Sequence, residues 1–268
     1  MDELTAWARL QIVHNVKRPN AFDYISKIFD DFLEMQGDRL FGNDPALIAG
    51  VASFKNLPVT VIATVRGKDL EQNKIFNFAM AHPEGYRKAL RQAKLAEKFG
   101  RPIVCLIDIP GAFCGVEAEE RGQGQAIAQN IMEFMGLKTP IIGIITGEGG
   151  SGGALGIGVC DELGVLENAV YSVISPQGAA SILWRDVSKA ELAANVMKIT
   201  ATDLIEFGVA DKIITEPVGG AHNDIEMVCE NMANFLTEAL KKHCKIDVAN
   251  LLQNRYNKFR KIGIFSEG

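Results

Sequence analysis

The sequence predicts an α/β fold around a parallel sheet, and three observations carry that reading. Short β-branched apolar runs alternate with amphipathic segments over residues 58–175, which is the pattern of βαβ units with right-handed crossovers. Two of these runs, Ile103–Asp108 and Ile141–Thr146, read as buried strands. The second leads into five glycines within seven residues, Gly147, Gly149, Gly150, Gly152 and Gly153, ahead of a small-residue segment that begins at Ala154. That order reads as buried strand, tight turn with bare backbone, and helix whose first N–H groups point outward.

Along the chain, residues 1–40 read as an N-terminal helical segment, with Phe22, Ile25, Ile28, Phe29, Phe32 and Leu33 at helical spacing after Pro19. Gly37–Pro45 is a turn-rich link. Leu47–Phe54 and Pro58–Val65 read as strands around a turn at Asn56, the second ending in Arg66-Gly67-Lys68-Asp69. Glu71–His82 is polar without a clean period and reads as a mobile loop. Pro83–Phe99 is an amphipathic helix stopped by Gly100, with Tyr86, Leu90, Ala93 and Phe99 on one face. The Ile103–Asp108 strand ends in Pro110-Gly111-Ala112-Phe113. Glu119–Met135 reads as one helix with Ile127, Ile131 and Phe134 inward.

Beyond the glycine turn, Ala169–Ile174 reads as a strand ending at Ser175-Pro176. Gln177–Trp184 and Ala190–Lys198 read as helices. Thr202 or Asp203 is placed to cap a short helix ending at Gly208. Lys212–Thr215 is a short strand before Pro217, and Asp224–His243 a long helix. There is no solenoid-type repeat.

Bulk properties exclude several classes. With 268 residues, 47% of them hydrophobic, the chain can bury a large core in one large or two small domains. A formal net charge of −5 gives no support for nucleic-acid binding. The apolar runs are too short to span a bilayer, and the N-terminus lacks a basic-then-apolar leader. Five scattered cysteines without a C-x-x-C pair argue against a Cys-based zinc site and for a reduced, cytoplasmic setting. The four histidines form no H-x-x-x-H pair. No metal site is expected.

Three patterns fit the glycine turn, and pattern matching alone leaves them open. Gly147-x-Gly149-x-x-Gly152 satisfies a dinucleotide fingerprint, with Glu167 at a tolerable distance for the ribose. Gly149-x-Ser151-x-Gly153 satisfies a nucleophile elbow, and Asp186, Asp203 and Asp211 precede His222 and His243 in the required order. The same turn also suits an oxyanion hole with no nucleophile.

Catalytic loops belong at the carboxyl ends of parallel strands. Two such ends carry glycine turns here, Pro110–Gly115 and Gly147–Gly153. If their strands are neighbours, backbone amides from both converge on one oxygen, as an enolate or a ureido oxyanion requires. No acid or base side chain is evident beside them. Glu119, Glu120 and Arg121 read as a solvated helix start, with substrate contacts as the functional alternative. Arg66-Gly67-Lys68 reads as surface, with a phosphate or an acidic partner as the functional alternative. His14 and His243 fall on surface helices, whereas His82 and His222 sit beside loops and are the better candidates. Trp184 and Tyr171 read as core.

These residues resemble the carboxyltransferase α subunit of bacterial multi-subunit acetyl-CoA carboxylase. The resemblance rests on Pro83–Leu90, Ala96–Pro102, Ala118–Gly124, Gly147–Leu155 and Ser181–Trp184, and runs unbroken from about Leu10 to Pro217. Lys198-Ile199-Thr200-Ala201 and Gly219-Gly220-Ala221-His222 extend it. It implies a crotonase-like fold of repeated ββα units, with a mainly parallel sheet and peripheral helices over residues 41–268. It implies transfer of a carboxyl group from carboxybiotin to acetyl-CoA, giving malonyl-CoA for fatty-acid synthesis. The implied cofactor is biotin on a separate carrier, with none bound permanently. Implied partners are a β subunit carrying a zinc ribbon and most coenzyme A contacts, the biotin carboxyl carrier protein and biotin carboxylase, in an ATP-dependent complex with an α2β2 transferase core.

Carried over residue by residue, the resemblance makes Gly111, Ala112, Gly152 and Gly153 the backbone oxyanion donors. Gly150 and Phe113 join them on the carboxybiotin side. The chemistry agrees, because release of CO₂ leaves a ureido oxyanion and a biotin nitrogen that takes the acetyl proton, so the protein need supply no base. On this reading Gly153→Val abolishes transfer while sparing the fold.

Two departures stand out. Many family members carry an N-terminal coiled-coil-like extension, whereas this chain starts almost at the homologous region, which weakens any contact that extension makes. Phe113-Cys114 replaces the common Tyr-Pro, an exchange expected to loosen the biotin-side loop. The competing readings are a self-sufficient crotonase-like hydratase, isomerase or decarboxylase acting on an acyl-CoA, a scaffold, and a serine hydrolase.

Overall fold

The computed structural model describes residues 4–263. In chain order the helices and strands are α1 (Ala6–Val13), α2 (Ala21–Ile28), β1 (Asp30–Glu34), β2 (Leu47–Phe54), β3 (Leu57–Thr64), α3 (Leu70–Ile75) and α4 (Pro83–Lys98). Then follow β4 (Ile103–Ile109), α5 (Val116–Glu120), α6 (Gln123–Gly136), β5 (Ile141–Gly150), α7 (Ser151–Gly158), β6 (Glu162–Leu166) and β7 (Val170–Ser172). The last are α8 (Pro176–Trp184), α9 (Ala190–Val196), α10 (Ala201–Glu206), β8 (Lys212–Ile214), α11 (Ile225–His243) and α12 (Val248–Lys261).

The strands form one eight-stranded sheet in the order β1-β2-β3-β4-β5-β6-β8, with β7 pairing β5 off that path. The β1, β2 and β3 neighbours are antiparallel, and all pairings from β3 to β8 are parallel. Every residue of β4 is buried, as is all of β5 except Glu148. Both strands lie in the middle of the sheet, so the turns that leave their carboxyl ends are held on rigid supports.

The α4 helix starts at Pro83, which fits the first helical turn because its missing N–H has no partner to lose. Its inward face of Tyr86, Ala89, Leu90 and Ala93 joins the main core. Gly156 of α7 lets the two elements close up, since a Cβ there would lie 2.8 Å from the Tyr86 ring. On β6, Gly164 leaves room for Phe235 of α11, 2.8 Å from where a Cβ would sit.

Several expectations change. Residues 30–34 are an edge strand and not helix, because α2 ends where Phe29 turns extended (φ −121°), and Asp31 (φ +53°) sits at an irregularity in the pairing with β2. The segment read as a mobile loop contains α3, capped by the Asp69 carboxylate accepting from the Gln72 amide at 2.8 Å. The helix read over 119–135 is two, broken where Gly122 takes φ +81°. The short helix before Gly208 is capped by Thr200 in a capping box with Asp203. Sequence periodicity missed β6 and α12 altogether.

Buried Arg255 fixes α12. Its guanidinium donates to the carbonyls of Phe134, Leu137 and Thr139 at 2.8–2.9 Å and to both Asp161 carboxylate oxygens at 2.7–2.8 Å. Arg255→Met strands a buried carboxylate and three carbonyls, and should cost about 3–5 kcal/mol in urea unfolding; a loss within the range of a surface substitution would show that α12 is held by apolar packing alone.

Candidate functional site

The two glycine turns leave neighbouring parallel strands, with Ile109 of β4 opposite Gly149 of β5. They touch. A Cβ at Gly150 would collide with the Pro110 carbonyl, and one at Gly153 would lie 2.6 Å from the Ala112 nitrogen. Gly111 and Gly152 differ, because a Cβ at Gly111 meets nothing within 4 Å and one at Gly152 meets only Ile127 at 3.7 Å. Gly150 and Gly153 therefore permit the contact between the turns, whereas Gly111 and Gly152 present open backbone. The expectation that Gly153→Val spares the fold needs correction, since a valine would drive into the Gly111–Ala112 backbone.

Ser151 is held at φ +43°, the strained geometry of a strand-to-helix elbow. No histidine serves it. His14 pairs with Glu148, His82 bonds Asn77, His222 bonds Asn15 and His243 bonds Glu162. The elbow thus lacks the base that a hydrolase needs among the described residues. Helix α7 has no side-chain cap, so its first-turn amides stay available.

Carboxylates do stand directly behind the turns, which sequence reasoning missed. Asp108 precedes Ile109-Pro110, and Glu148 precedes Gly149-Gly150. Arg66, at the end of β3, donates to Asp108 at 3.1–3.3 Å and to Glu148 at 2.6 Å. Asp108 Oδ1 also accepts the Glu148 amide at 2.9 Å, and the carboxylate fills the space where a Gly147 side chain would stand. Burial alone would raise the Glu148 carboxyl, but hydrogen bonds and charge from His14 and Arg66 outweigh it and hold it down to about 2. A carboxylate that acidic is a weak base.

Arg66 is half-buried and its guanidinium is paired with two carboxylates, and Lys68 pairs with Asp23 at 2.7 Å. His14 is exposed, as expected, but lies 3.0 Å from the Glu148 carboxylate, and His243 is buried with its ring 2.8 Å from the Glu162 carboxylate. Glu119 and Glu120 are exposed as expected, but Arg121 is pinned to Glu84 at 2.7 Å.

The Phe113-Cys114 exchange does not leave the Pro110–Gly115 turn unsupported. The Phe113 amide donates to the Ala81 carbonyl at 3.0 Å, and the Phe113 ring stacks on His82 with centroids 4.1 Å apart. The buried Gln123 amide donates to the Ala81 and Phe113 carbonyls, both at 2.8 Å. These contacts supply the restraint that a proline would have supplied.

Beside the glycine turn opens a cavity of about 650 Å³. Ser151, Gly152, Leu155 and Tyr171 line it, and Lys198 is its single charged residue. Val173, Ile182 and Leu183 form its exposed apolar rim. Of the sequence-predicted site residues only Gly152 faces this cavity; Gly111, Ala112, Phe113, Gly150 and Gly153 do not line it. Among the described residues no cluster of His, Cys, Asp and Glu could hold a metal ion, and no helix is long and apolar enough to cross a membrane.

The family described as "Acetyl co-enzyme A carboxylase carboxyltransferase-like" matches residues 1–263. The chain is 54% identical over 265 residues to the acetyl-coenzyme A carboxylase carboxyl transferase subunit alpha of Clostridium acetobutylicum, covering 99% of this chain and 97% of that protein. It is 52% identical to the same-named protein of a Listeria monocytogenes strain, over 98% of this chain and 82% of that one. Among solved structures, transcarboxylase 12S superposes with a TM-score of 0.71 at 18% identity, over 89% of this chain but only 44% of that one. A Pseudomonas malonate decarboxylase hetero-tetramer in complex with coenzyme A superposes at 0.62 and 20% identity, over 82% of this chain and 89% of that one. Both likenesses show the crotonase-like fold.

Because the Glu148 carboxyl is depressed in the fold, its stabilising contribution is complete above its ordinary value of 4.5 and fades as pH falls toward about 2. Urea unfolding of Glu148→Gln between those pH values should therefore show a shallower acid loss of stability than wild type; equal slopes would contradict the ion-pair assignment.

Proposed function

The chain belongs to the acetyl-coenzyme A carboxylase carboxyltransferase family, and from that premise we propose how its glycine turns serve the reaction. It acts as the α component of a biotin-dependent carboxyltransferase that makes malonyl-CoA for fatty-acid synthesis. The amides of Gly111 and Ala112 from one turn, and of Gly152 and Gly153 from the other, hold the ureido oxygen of biotin carried on a separate protein. The observation behind this is the contact of the two strand-end turns beside an open apolar cavity.

The residues fit such a group. A cavity of about 650 Å³ is within the usual range for small-molecule sites, which runs to about 1,000 Å³. Its apolar walls suit the bicyclic ring, while uncapped amides at the start of α7 suit the ureido oxygen. Gly150 contributes by letting the turns meet, and Phe113 by fixing the biotin-side loop. When bound, carboxybiotin supplies both the carboxyl group and a nitrogen able to take the acetyl proton. The chain's part is to orient that oxygen and stabilise its developing charge through fixed dipoles. Asp108 and Glu148 remain committed to Arg66, so no side chain here is asked to move a proton. The self-sufficient hydratase or isomerase reading lacks the free acid or base it requires.

The exposed Val173, Ile182 and Leu183 rim is the surface against which a β subunit closes the site. That subunit brings the coenzyme A contacts and its own zinc ribbon, within an α2β2 core served by the biotin carboxyl carrier protein and biotin carboxylase. The five unpaired cysteines suit a reducing cytoplasm.

Biotin-dependent decarboxylation of malonyl-CoA tests the assignment. The chain alone should be inactive and gain activity on co-expression with its β partner; robust transfer by the isolated chain would refute it. In the assembled complex Ser151→Ala should keep substantial activity, which a nucleophilic serine would not allow. Gly152→Val, whose Cβ would meet only Ile127 in ordinary contact at 3.7 Å, should lose on the order of 10²–10³ in rate or more. A folded, assembled Gly152→Val complex with near-normal turnover would overturn the oxyanion role.

A further inference from the structure

The strand ends behind the two glycine turns carry a largely buried charge cluster that the reaction chemistry does not use, with Arg66 a quarter exposed. Arg66 lies two residues beyond the end of β3, Asp108 stands near the end of β4 and Glu148 near the end of β5. One guanidinium thus bridges the carboxyl ends of three adjacent parallel strands, at 3.1 Å to Asp108 and 2.6 Å to Glu148. The Asp108 side chain is 8% exposed and the Glu148 side chain 16%. A second lock adds to the first, because the Glu148 N–H donates to Asp108 Oδ1 at 2.9 Å, so β4 grips the β5 backbone itself. Asp108 is tied back to β3 as well, its amide donating to the Thr64 hydroxyl at 2.7 Å. Gly147 is the position where this carboxylate lies over bare backbone.

The geometric consequence falls on the turns. Asp108 is two residues ahead of Pro110, and Glu148 two ahead of Gly150, the pair whose backbones touch. Outer contacts hold the cluster in turn. Asn20 donates to the Arg66 carbonyl at 3.0 Å and His14 reaches Glu148 at 3.0 Å. Arg18 donates to the Thr146 carbonyl at 2.8 Å while paired with Glu216 at 2.7 Å. A displacement of either strand end would separate the amide pairs that must converge on one oxygen.

We propose that Asp108 and Arg66 are positioning residues for carboxyl transfer, setting the distance between the two amide-bearing turns by clamping the ends of β3, β4 and β5. The inference rests on the function proposed above. Neither residue touches substrate. Their effect is carried by the alignment of donors, where an error of about 1 Å can cost on the order of 10²-fold in rate.

The test uses the assembled complex with its β partner, carrying Asp108→Asn or Arg66→Lys. Asp108→Asn keeps the shape and an oxygen for the Glu148 amide but loses the charge. Arg66→Lys keeps the charge but loses the fork that reaches two carboxylates at once. Each should lower kcat for biotin-dependent malonyl-CoA decarboxylation by about 10–10²-fold, with KM for malonyl-CoA and assembly by size exclusion unchanged. Asp108→Glu, which retains the charge, should recover part of the loss. Wild-type kcat in folded, assembled variants overturns the proposal. So does a loss confined to KM, or failure of both variants to assemble, which would make the cluster a determinant of folding alone. Inactivity of the wild-type complex would instead reject the proposed function and is read separately.

Discussion

Two loops of backbone lie against one another at the middle of the sheet, and most of the site's construction answers to that contact. Gly150 rests on the Pro110 carbonyl and Gly153 on the Gly111–Ala112 backbone, at distances no side chain tolerates. Such an approach needs neighbouring parallel strands whose carboxyl ends lie side by side, which β4 and β5 supply with Ile109 opposite Gly149. It needs a helix that starts at once, which α7 does. Behind α7, the Tyr86 hydroxyl donates to the Gly153 carbonyl at 3.1 Å, and Gly156 lets the same ring come close. The glycines of the turn are thus not one feature. Gly147 admits Asp108, Gly149 admits the Tyr171 ring, Gly150 and Gly153 admit the facing turn, and Gly152 alone has no close neighbour, its Cβ position lying 3.7 Å from Ile127.

Electrostatics separates holding from reacting. Both carboxylates nearest the turns are spent on Arg66, and the depressed Glu148 carboxyl keeps its charge through the physiological range. What remains free is neutral and fixed, namely amides with no reorganisation left to do when charge develops. This division suits a reaction in which the bound cofactor provides its own proton acceptor. It also explains why a strained serine on an elbow can sit in the site without being a nucleophile, since no histidine reaches it.

How much of this was legible in the sequence follows from the range of each interaction. Strands β2 to β5 and helix α4 were readable because their burial is set by local apolar periodicity, and the family by several short motifs in unbroken order. The helix read through residue 40 failed because Phe32 and Leu33 fit a helical stripe as well as a strand; the pairing of β1 with β2 decides, and that is a long-range fact. The break at Gly122 needed one positive φ, invisible to a hydrophobic pattern. Strand β6 holds Gly164 at its centre and one β-branched residue, Val165, so it lacks the apolar run that marks the other strands, and α12 is fastened in part by Arg255, a residue that reads as surface. Gly111, Ala112, Gly152 and Gly153 were put forward as donors from sequence, but not their unequal surroundings. Asp108 and Glu148 were visible only as strand-end acids, and their link through Arg66 spans up to 82 positions. Likewise, the Gln123 bridge and the His82–Phe113 stack that hold the Pro110–Gly115 turn join segments that sequence alone keeps apart.

The role of the two turns depends on where the ureido oxygen goes. A high-resolution structure of the assembled α–β complex with a biotin or carboxybiotin analogue locates it. The oxygen should lie about 3 Å from backbone nitrogens of both turns, one from Gly111 or Ala112 and one from Gly152 or Gly153, with the bicyclic ring against the apolar cavity wall. An oxygen held by side chains, or by one turn only, would contradict it.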